Sequence, residues 1–352
     1  MPIVDRHLAI PLRRAARLGE PVLVAGPRGS GKTTLIRREF PGHRYVTLDD
    51  SAGRAAARQD PAGFIARLRG QPAVIDDLHR APELVRHLAA SAVAAPLVLA
   101  SSRRLAGFDP VATFELYTPT RAELERRAPL PLATLGRFQP ALPGVPPPPL
   151  AGPLAWAPVR NFLDHDVREM VNVHDLDRFE RFLRLAEARS GEVLDQQMLA
   201  REAGVSHRTV VRWLAVLDAC YLTLKLEPGS LTLGRRTTRR PRLHFLAAHR
   251  APFETEVVSE IYRNARHTGL TPELRYWRDS NGFDVPLLVE MEGLAPVPVG
   301  IAETPNPEAG VRLRRWMELA GAGSAALVTR SPGRQPERRG DAKVLRYAIS
   351  QL

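Results

Sequence analysis

The residues best suited to chemistry lie near the start of the chain, in a glycine-rich segment that ends in lysine and threonine. Residues 26–34 read Gly-Pro-Arg-Gly-Ser-Gly-Lys-Thr-Thr and fit the spacing GxxxxGK[ST] of a phosphate-binding loop, or P-loop. In such a loop the backbone N–H groups surround phosphates, the lysine reaches the terminal phosphates and the threonine hydroxyl can ligate Mg²⁺. A structural glycine-rich turn is the alternative. The segment predicts an ATP and Mg²⁺ site formed by Gly26, Pro27, Arg28, Gly29, Ser30, Gly31, Lys32, Thr33 and Thr34.

Two carboxylates follow a short apolar stretch further along the chain. The stretch 73–75 is followed directly by Asp76 and Asp77. A strand that ends in acids places them at the edge of a parallel sheet, beside a P-loop. Asp76 would then support Mg²⁺ together with Thr33, and Asp77 would orient an attacking water. The alternative is that both acids cap the helix that follows.

These side chains need a sheet whose strands end beside the P-loop. Short, continuous apolar strands separated by helices are typical of a parallel sheet covered on both faces. We therefore expect an α/β nucleotide-binding domain over residues 1–128. The patterns predict strands at 21–25, 45–48, 73–75 and 96–100, and helices at 33–40, 61–68 and 82–94.

Composition divides the rest of the chain into three parts. Residues 129–158 are rich in proline and predict a linker. Residues 159–250 have the apolar spacing of helices, and residues 251–352 mix both periodicities. We expect a helical domain and then an α+β domain, with a helix at 253–265 and strands at 274–277, 285–289 and 325–328.

A helix-turn-helix pattern lies within the helical part. Residues 194–202 form its first helix, Gly204 the turn and Ser206 the N-cap of the second helix. Residues 223–226 and 231–233 are predicted to form a hairpin wing through a turn at 227–230. The winged helix would either bind duplex DNA or serve as a lid or protein-contact module. Its candidate nucleic-acid residues are Arg208, Arg212, Arg235, Arg236, Arg239 and Arg240.

The charge balance supports a phosphate-bearing partner without requiring one. The formal net charge is +12, which favours nucleic acid, but lysine occurs only at Lys32, Lys225 and Lys343, so the excess arginine can reflect genome composition. A single cysteine, Cys220, excludes an internal disulfide framework. No apolar run is long enough to span a membrane, and no secretory signal is visible, so we expect no membrane association and a cytoplasmic location.

With these landmarks the chain resembles a family of bacterial and archaeal AAA-type ATPases. The likeness rests on residues 26–34, on Tyr-Val-Thr-Leu-Asp-Asp at 45–50, on residues 74–84, on Asp-Val-Arg at 166–168, and on Phe-Glu at 253–254 with Tyr-Trp-Arg-Asp at 276–279. The resemblance implies three domains, and the biological role of the family is largely undefined. The three domains are an AAA-like P-loop domain, a central winged helix and a C-terminal restriction-endonuclease-like domain.

Departures from the family bear on hydrolysis. Asp77 stands where the family carries a longer glutamate, and Phe108 stands where relatives commonly have arginine. Ser102, at the end of a strand where relatives show Thr-Gly-Ser, is the candidate γ-phosphate sensor, and Arg103 or Arg104 could replace the missing arginine. Since an arginine at the transferring phosphoryl group can contribute about 10³-fold or more in rate, we expect ATP binding and slow hydrolysis.

The metal site that the resemblance implies in the C-terminal domain is eroded. Pro286 replaces the expected metal-binding aspartate, and Gly300 and Ala302 stand where the Glu-x-Lys strand carries its acid and lysine. Asp284 could compensate on the same strand face, whereas Glu303 is out of register. Without paired carboxylates, nuclease activity is not expected. The acids that match retained family positions are Glu254 and Glu260.

The sequence thus leads to two hypotheses of different class. The first is an ATP-binding AAA-type protein, a slow ATPase whose nucleotide state controls how the domains dock. The second is an ATP-dependent, DNA-binding regulatory module without significant turnover. The partners would be ATP, double-stranded DNA, and a second copy of the chain or another protein. No zinc site is expected, and the four tryptophans are interpreted as packing residues.

Overall fold

The computed structural model describes most of the AAA-like and C-terminal parts and the core of the helical part. The predicted linker, residues 129–158, lies almost entirely outside the described residues, as do Phe108, Trp156, Arg235 and Arg236. The described residues are 4–90, 96–105, 112–129, 132, 162, 167–170, 176–229, 231, 237, 239–246, 251–304, 306–330, 337–339 and 342–352.

Five parallel strands form the first sheet, in the order β2-β3-β4-β1-β5. The four predicted strands are confirmed within a residue of their bounds; β1, β3 and β4 are short, fully buried apolar runs, whereas β2 is only partly buried. The fifth, β5, was not predicted, since its sequence Ala-Thr-Phe-Glu is only partly buried. The strands are β1 (Val22–Ala25), β2 (Arg44–Thr47), β3 (Ala73–Asp76), β4 (Leu97–Ser101) and β5 (Ala112–Glu115).

Helices cover this sheet and begin at recognisable caps. Asp50 accepts a hydrogen bond from the Gly53 N–H at 2.7 Å and begins a helix that the sequence did not predict. Asp60 does the same for Gly63 at 2.9 Å, and Pro61 follows at the first helical position. The helices are α1 (Ala9–Ala16), α2 (Lys32–Glu39), α3 (Ser51–Gln59), α4 (Pro61–Ala66), α5 (Leu84–Ala90) and α6 (Arg121–Leu124), with a 3₁₀ turn at Leu78–Arg80.

The helical part contains the predicted pair of helices around Gly204. Asp195 caps the first, accepting from the Met198 N–H at 2.9 Å, and Ser206 caps the second, accepting from the Thr209 N–H at 3.1 Å. Gly204 takes a φ of 69°, which favours glycine. The helices are α7 (Val167–Met170), α8 (Leu176–Ala188), α9 (Gln196–Ala203) and α10 (His207–Ala219).

The predicted turn at 227–230 is wrong at its first two residues, and residues 232–233 of the predicted hairpin lie outside the described residues. The antiparallel partner of β6 (Thr223–Pro228) is β7 (Arg242–Phe245), and β6 includes Glu227 and Pro228, the first two residues predicted to turn. Its end pairs in parallel with β8 (Glu273–Arg278) through Pro228. The missing N–H of Pro228 does not prevent this, because the next N–H, of Gly229, donates to the Tyr276 carbonyl at 2.7 Å, and the Arg275 guanidinium donates to the Pro228 carbonyl at 3.2 Å. The arginines expected beyond the wing therefore lie in the connection between β6 and β7.

The second sheet has eight strands in the order β12-β13-β11-β10-β9-β8-β6-β7. The predicted helix at 253–265 and the three predicted strands are confirmed, whereas β12, β13 and α12 were not predicted. The remaining elements are α11 (Phe253–His267), β9 (Asp284–Glu290), β10 (Val297–Ile301), α12 (Pro307–Ala320), β11 (Ser324–Thr329), β12 (Glu337–Arg339) and β13 (Ala342–Ala348).

The parts of the chain share core and sheet. Leu23 of β1, Tyr221 after α10 and Tyr262 of α11 belong to one cluster of buried apolar residues. The second sheet also runs across the predicted boundary at 250/251, since β6 pairs with both β7 and β8. Motion of one part therefore disturbs packing in the others. The described helices include none long and apolar enough to cross a membrane.

Candidate nucleotide site

The P-loop connects β1 to α2 and requires glycine at its first position. Gly26 has a φ of 146°, and a Cβ there would lie only 2.0 Å from the carbonyl oxygen of Leu116. Its N–H donates to the carbonyl of Ser101, at the end of the neighbouring strand β4, at 3.2 Å. The loop is thus held between two neighbours of β1, and a side chain would force the strands apart.

Lys32 is buried at the first position of α2. Its ammonium donates to the carbonyl oxygens of Gly26 and Pro27, each at 2.9 Å. Backbone carbonyls thereby hold the cation inside the loop, where a phosphate oxygen would compete for it. Lys32 is only 6% exposed, and a buried ammonium is stable only with hydrogen-bond acceptors or an anion beside it. A buried cation at this position is therefore suited to binding an anion.

The carboxylate of Asp76 collects three donors at the end of β3. Its Oδ2 accepts from the Thr33 hydroxyl at 2.6 Å and from the Tyr45 hydroxyl at 2.5 Å, and its Oδ1 accepts from the Asp77 N–H at 2.9 Å. The predicted metal-binding pair, Thr33 and Asp76, is therefore in direct contact. Hard oxygen ligands of this kind suit Mg²⁺.

Tyr45 was missed as a site residue by the sequence reasoning, although it lies in the stretch that carries the family resemblance. It lies on β2 beside β3, and burial together with the Asp76 carboxylate raises the pKa of Tyr45 to about 12. The guanidinium of Arg37 lies 4.2 Å from the centroid of its ring. Only the pairing of β2 with β3 brings this hydroxyl to Asp76.

Asp77 adopts a left-handed backbone conformation, with a φ of 59°. Its side chain makes no capping hydrogen bond to the following 3₁₀ turn, so that turn gives no support to the capping alternative. Burial and the neighbouring Asp76 raise the pKa of Asp77, while Arg28 and Lys32 oppose the rise. A non-glycine residue here costs roughly 1–2 kcal/mol, which is typical of functional sites.

A cleft of about 770 Å³ opens over the P-loop and the ends of β2 and β3. It is lined by cations on the P-loop side and carboxylates on the opposite side, a division suited to a phosphate chain with its metal ion. Gly26, Pro27 and Ser30 support the loop without lining the cleft. The predicted residues that line it are Arg28, Gly29, Gly31, Lys32, Thr33, Thr34, Asp76, Asp77 and Ser102.

Ser102 lines this cleft, and its backbone contacts the ring of His79. The Ser102 N–H donates to Nδ1 of His79 at 3.3 Å. Burial, together with the charges of Arg103 and Lys32, lowers the pKa of His79 to about 3, so the ring is neutral. The sequence reasoning did not identify His79, because a histidine in a short turn carries no local signal of its role.

Arg104, one of two proposed substitutes for the missing arginine, is engaged elsewhere. Its N–H donates to the carbonyl of Ala219 at the end of α10, at 2.8 Å. Its guanidinium lies 3.5 Å from Glu115, 3.7 Å from Asp218 and 4.6 Å from the ring centroid of Tyr221. These contacts place Arg104 between the nucleotide unit and the helical part.

Arg6 and Glu123 connect the P-loop to α11 of the C-terminal part. The guanidinium of Arg6 donates to the carbonyl of Ser30 at 2.8 Å and pairs with Glu123 at 3.1 Å. Glu123 also contacts Nδ1 of His267, at the end of α11, at 3.1 Å. All of these side chains are largely buried, so the loop is braced from behind by the C-terminal part.

The candidate nucleic-acid residues divide between two places. Arg208 and Arg212 are exposed on α10, as predicted, and the opposite face of α10 is buried through Val210, Trp213, Leu214 and Leu217. In the β6–β7 connection, Arg239 and Arg240 are also exposed, and Arg240 lies 3.5 Å from Asp195. A groove of about 360 Å³ at the start of α10 is lined by Arg178 and Arg201.

The acids of the C-terminal part hold an arginine. The buried guanidinium of Arg242 donates to Glu254 at 2.9 Å and to Asp284 at 2.7 Å. Burial raises the pKa of Glu254 to about 7. Glu260 accepts from Arg263 at 2.8 Å. Among the described residues no group of three or more histidine, cysteine or acidic side chains could hold a metal ion.

Comparison with known proteins agrees with the class of domain that this site defines. Residues 19–107 match the family described as AAA domain, and residues 155–247 match a family described as a domain of unknown function. The chain therefore contains an AAA-type P-loop domain, a class that binds ATP. Uncharacterized proteins of Mycobacterium bovis and Mycobacterium tuberculosis are each 26% identical to it over 355 residues, which cover 89% of this chain and 77% of each relative.

Proposed function

We propose that this protein binds Mg·ATP, hydrolyses it slowly and uses the nucleotide state to change the docking of α10. The observation that carries the proposal is the 2.6 Å contact between Thr33 and Asp76 beside the buried ammonium of Lys32. Lys32, Thr33 and Asp76 line the same cleft, which is large enough for a nucleotide. Calorimetric titration of wild type and Lys32→Ala with Mg·ATP tests binding at this site.

Each residue has a distinct task in this proposal. The loop N–H groups bind phosphate oxygens, and Lys32 exchanges its carbonyl acceptors for them. Thr33 and Asp76 hold Mg²⁺, which neutralises charge on the phosphates when bound. Asp77 orients the attacking water, and Ser102 contacts the γ-phosphate. Tyr45 keeps the carboxylate of Asp76 in place.

Slow turnover follows from the length and position of Asp77. A base must lie within hydrogen-bond reach of the water it orients, and Asp77 is one methylene shorter than glutamate. We expect Asp77→Glu to raise kcat by about tenfold if reach limits the rate. Steady-state phosphate release at saturating Mg·ATP measures this effect.

Asp77→Asn is the matched control, because it keeps the length and removes the base. It should lower kcat, whereas Asp77→Glu should raise it. Glutamate tolerates the left-handed backbone less well than aspartate, so a thermal melt must accompany the kinetics. A wild-type kcat near the enzyme median of about 10 s⁻¹ would contradict the idea of an impaired site.

Coupling to α10 is supported by the position of Arg104. It lies two residues beyond Ser102, and its contacts reach Glu115 of β5, Asp218 of α10 and Tyr221. A shift of Ser102 towards or away from a γ-phosphate would therefore move the end of α10. This short path supports a nucleotide-dependent docking of the helical part.

Arg104→Ala should separate binding from docking. It removes the ion pairs and the ring contact but keeps the backbone bond to Ala219. We expect Mg·ATP to change hydrogen exchange in α10 of the wild type, and this change should fall by more than about half in the variant. ATP affinity should stay within about threefold, since Arg104 lies outside the cleft. An undiminished change would contradict this coupling, and Arg69→Ala, an exposed arginine elsewhere, is the control.

The second candidate function is ATP-dependent DNA binding, and the exposed pair Arg208 and Arg212 on α10 favours it. The order α8, Val193, α9, α10, β6, β7, in which Val193 bridges Arg242, supports a winged helix. Its wing would be the β6–β7 connection. Part of that connection packs against the second sheet, since the indole N–H of Trp277 on β8 donates to the Leu231 carbonyl at 2.7 Å.

The domain division remains part of the proposal. We propose units at 1–128, 159–250 and 251–352 with a linker at 129–158, the last two units sharing the second sheet. We also propose that the C-terminal unit is a degenerate nuclease-like domain. The guanidinium of Arg242 already neutralises Glu254 and Asp284, which leaves those acids unsuited to activating a metal-bound water.

A further inference from the structure

His79 has one satisfied and one unsatisfied ring nitrogen. Nδ1 accepts the Ser102 N–H, so the neutral ring carries its hydrogen at Nε2. The residue is only 8% exposed, and Nε2 has no hydrogen-bond partner among the described residues. Buried donors are almost always paired in native proteins, so an unpaired one calls for a missing acceptor.

The surroundings of His79 indicate the charge of that acceptor. The charges of four cations lower the pKa of the ring, and two of them, Arg28 and Lys32, belong to the P-loop. The other two, Arg80 and Arg103, lie on His79's own turn and just after Ser102. A neutral N–H donor among four cations suits an anionic oxygen.

We propose that His79 distinguishes ATP from ADP, with Nε2–H donating to a γ-phosphate oxygen through one water molecule, because the ring lies next to Ser102 but outside the residues that line the cleft. This inference rests on the proposed function of the cleft. Nδ1 of the same ring holds the backbone of Ser102, which lines the cleft and leads to Arg104. His79 thereby links the presence of the γ-phosphate to the segment that contacts α10.

ADP lacks the γ-phosphate, so this contact contributes only to ATP binding. His79→Leu removes both the donor and the acceptor, whereas glutamine can accept from Ser102 and donate to phosphate through the same water molecule. A hydrogen bond to a charged group is worth about tenfold or more in affinity. We expect the ratio of ATP to ADP affinity to fall about tenfold in His79→Leu and to stay within about threefold of wild type in His79→Gln.

Calorimetric titration of the full chain with Mg·ATP and with Mg·ADP measures these ratios, and thermal melts verify folding. His79→Met is a second apolar variant in case leucine, with its branched side chain, packs poorly. An unchanged ratio in a folded apolar variant would overturn the proposal, as would an equal loss in His79→Gln. If wild type binds neither nucleotide, the proposed function fails as well; if it binds both and the ratio is insensitive to His79, only this inference fails.

Discussion

Replacing Lys32 with alanine is expected to reduce Mg·ATP affinity at least about 100-fold, because charge-assisted hydrogen bonds to the phosphates are lost from a site built around them. In the absence of nucleotide the ammonium is held by the carbonyls of Gly26 and Pro27. Binding therefore exchanges two neutral acceptors for charged phosphate oxygens. Calorimetric titration of the purified chain measures the loss.

Lys225→Ala provides a matched control, since Lys225 is an exposed lysine on β6, in a different sheet from the P-loop. It should bind Mg·ATP as wild type does. Equal ATP affinity in wild type and Lys32→Ala would contradict the proposal that the P-loop binds Mg·ATP. A thermal melt distinguishes loss of binding from loss of fold, because the variant also deprives two carbonyls of their donor.

The parts of the fold that the sequence predicts well are those determined locally. β1, β3 and β4 are continuous apolar runs between helices, and their burial makes the pattern unambiguous. β5 is short and half-polar, and α3 reads as alanine, glycine and arginine without an apolar stripe. The first depends on its neighbour β1 and the second on the cap at Asp50, so neither shows in apolar spacing.

The wing shows how long-range pairing overrides local turn signals. Glu-Pro-Gly-Ser at 227–230 has the composition of a tight turn, yet β6 continues to Pro228 because β8 offers it a parallel edge. The paired positions, Pro228 and Tyr276, are far apart in sequence. No local pattern contains that pairing, so the predicted turn was wrong at Glu227 and Pro228.

The site was predictable to the extent that its residues lie in contiguous motifs. Thr33 and Asp76 could be paired from the P-loop and the strand ending because a parallel sheet places both at one edge. Tyr45, His79 and Arg104 could not, since each acts through a neighbour brought there by the fold. The role of Arg242 was likewise hidden, because β7 is remote in sequence from Asp284.

Duplex DNA binding, if it occurs through α10, is expected to weaken steeply with salt. Each phosphate contact contributes about −0.9 to the slope of log K against log salt, so six arginine contacts would lower affinity about 10³-fold between 50 and 200 mM salt. Arg208→Ala with Arg212→Ala should flatten the slope by about two units. Fluorescence anisotropy of a labelled duplex over a salt series measures both quantities.

The choice of Arg208 and Arg212 makes this test specific. Both are exposed on α10, opposite the buried Trp213, so their removal should leave the melting temperature unchanged. Arg69→Ala with Arg312→Ala removes the same charge from exposed positions away from α10, and should keep the full slope. If wild type binds no duplex at low salt, or if both double variants behave alike, α10 is a lid or a protein-contact surface. The net charge of +12 would then reflect arginine usage. Equal effects of the two double variants would show that only the total charge matters, not a binding surface on α10.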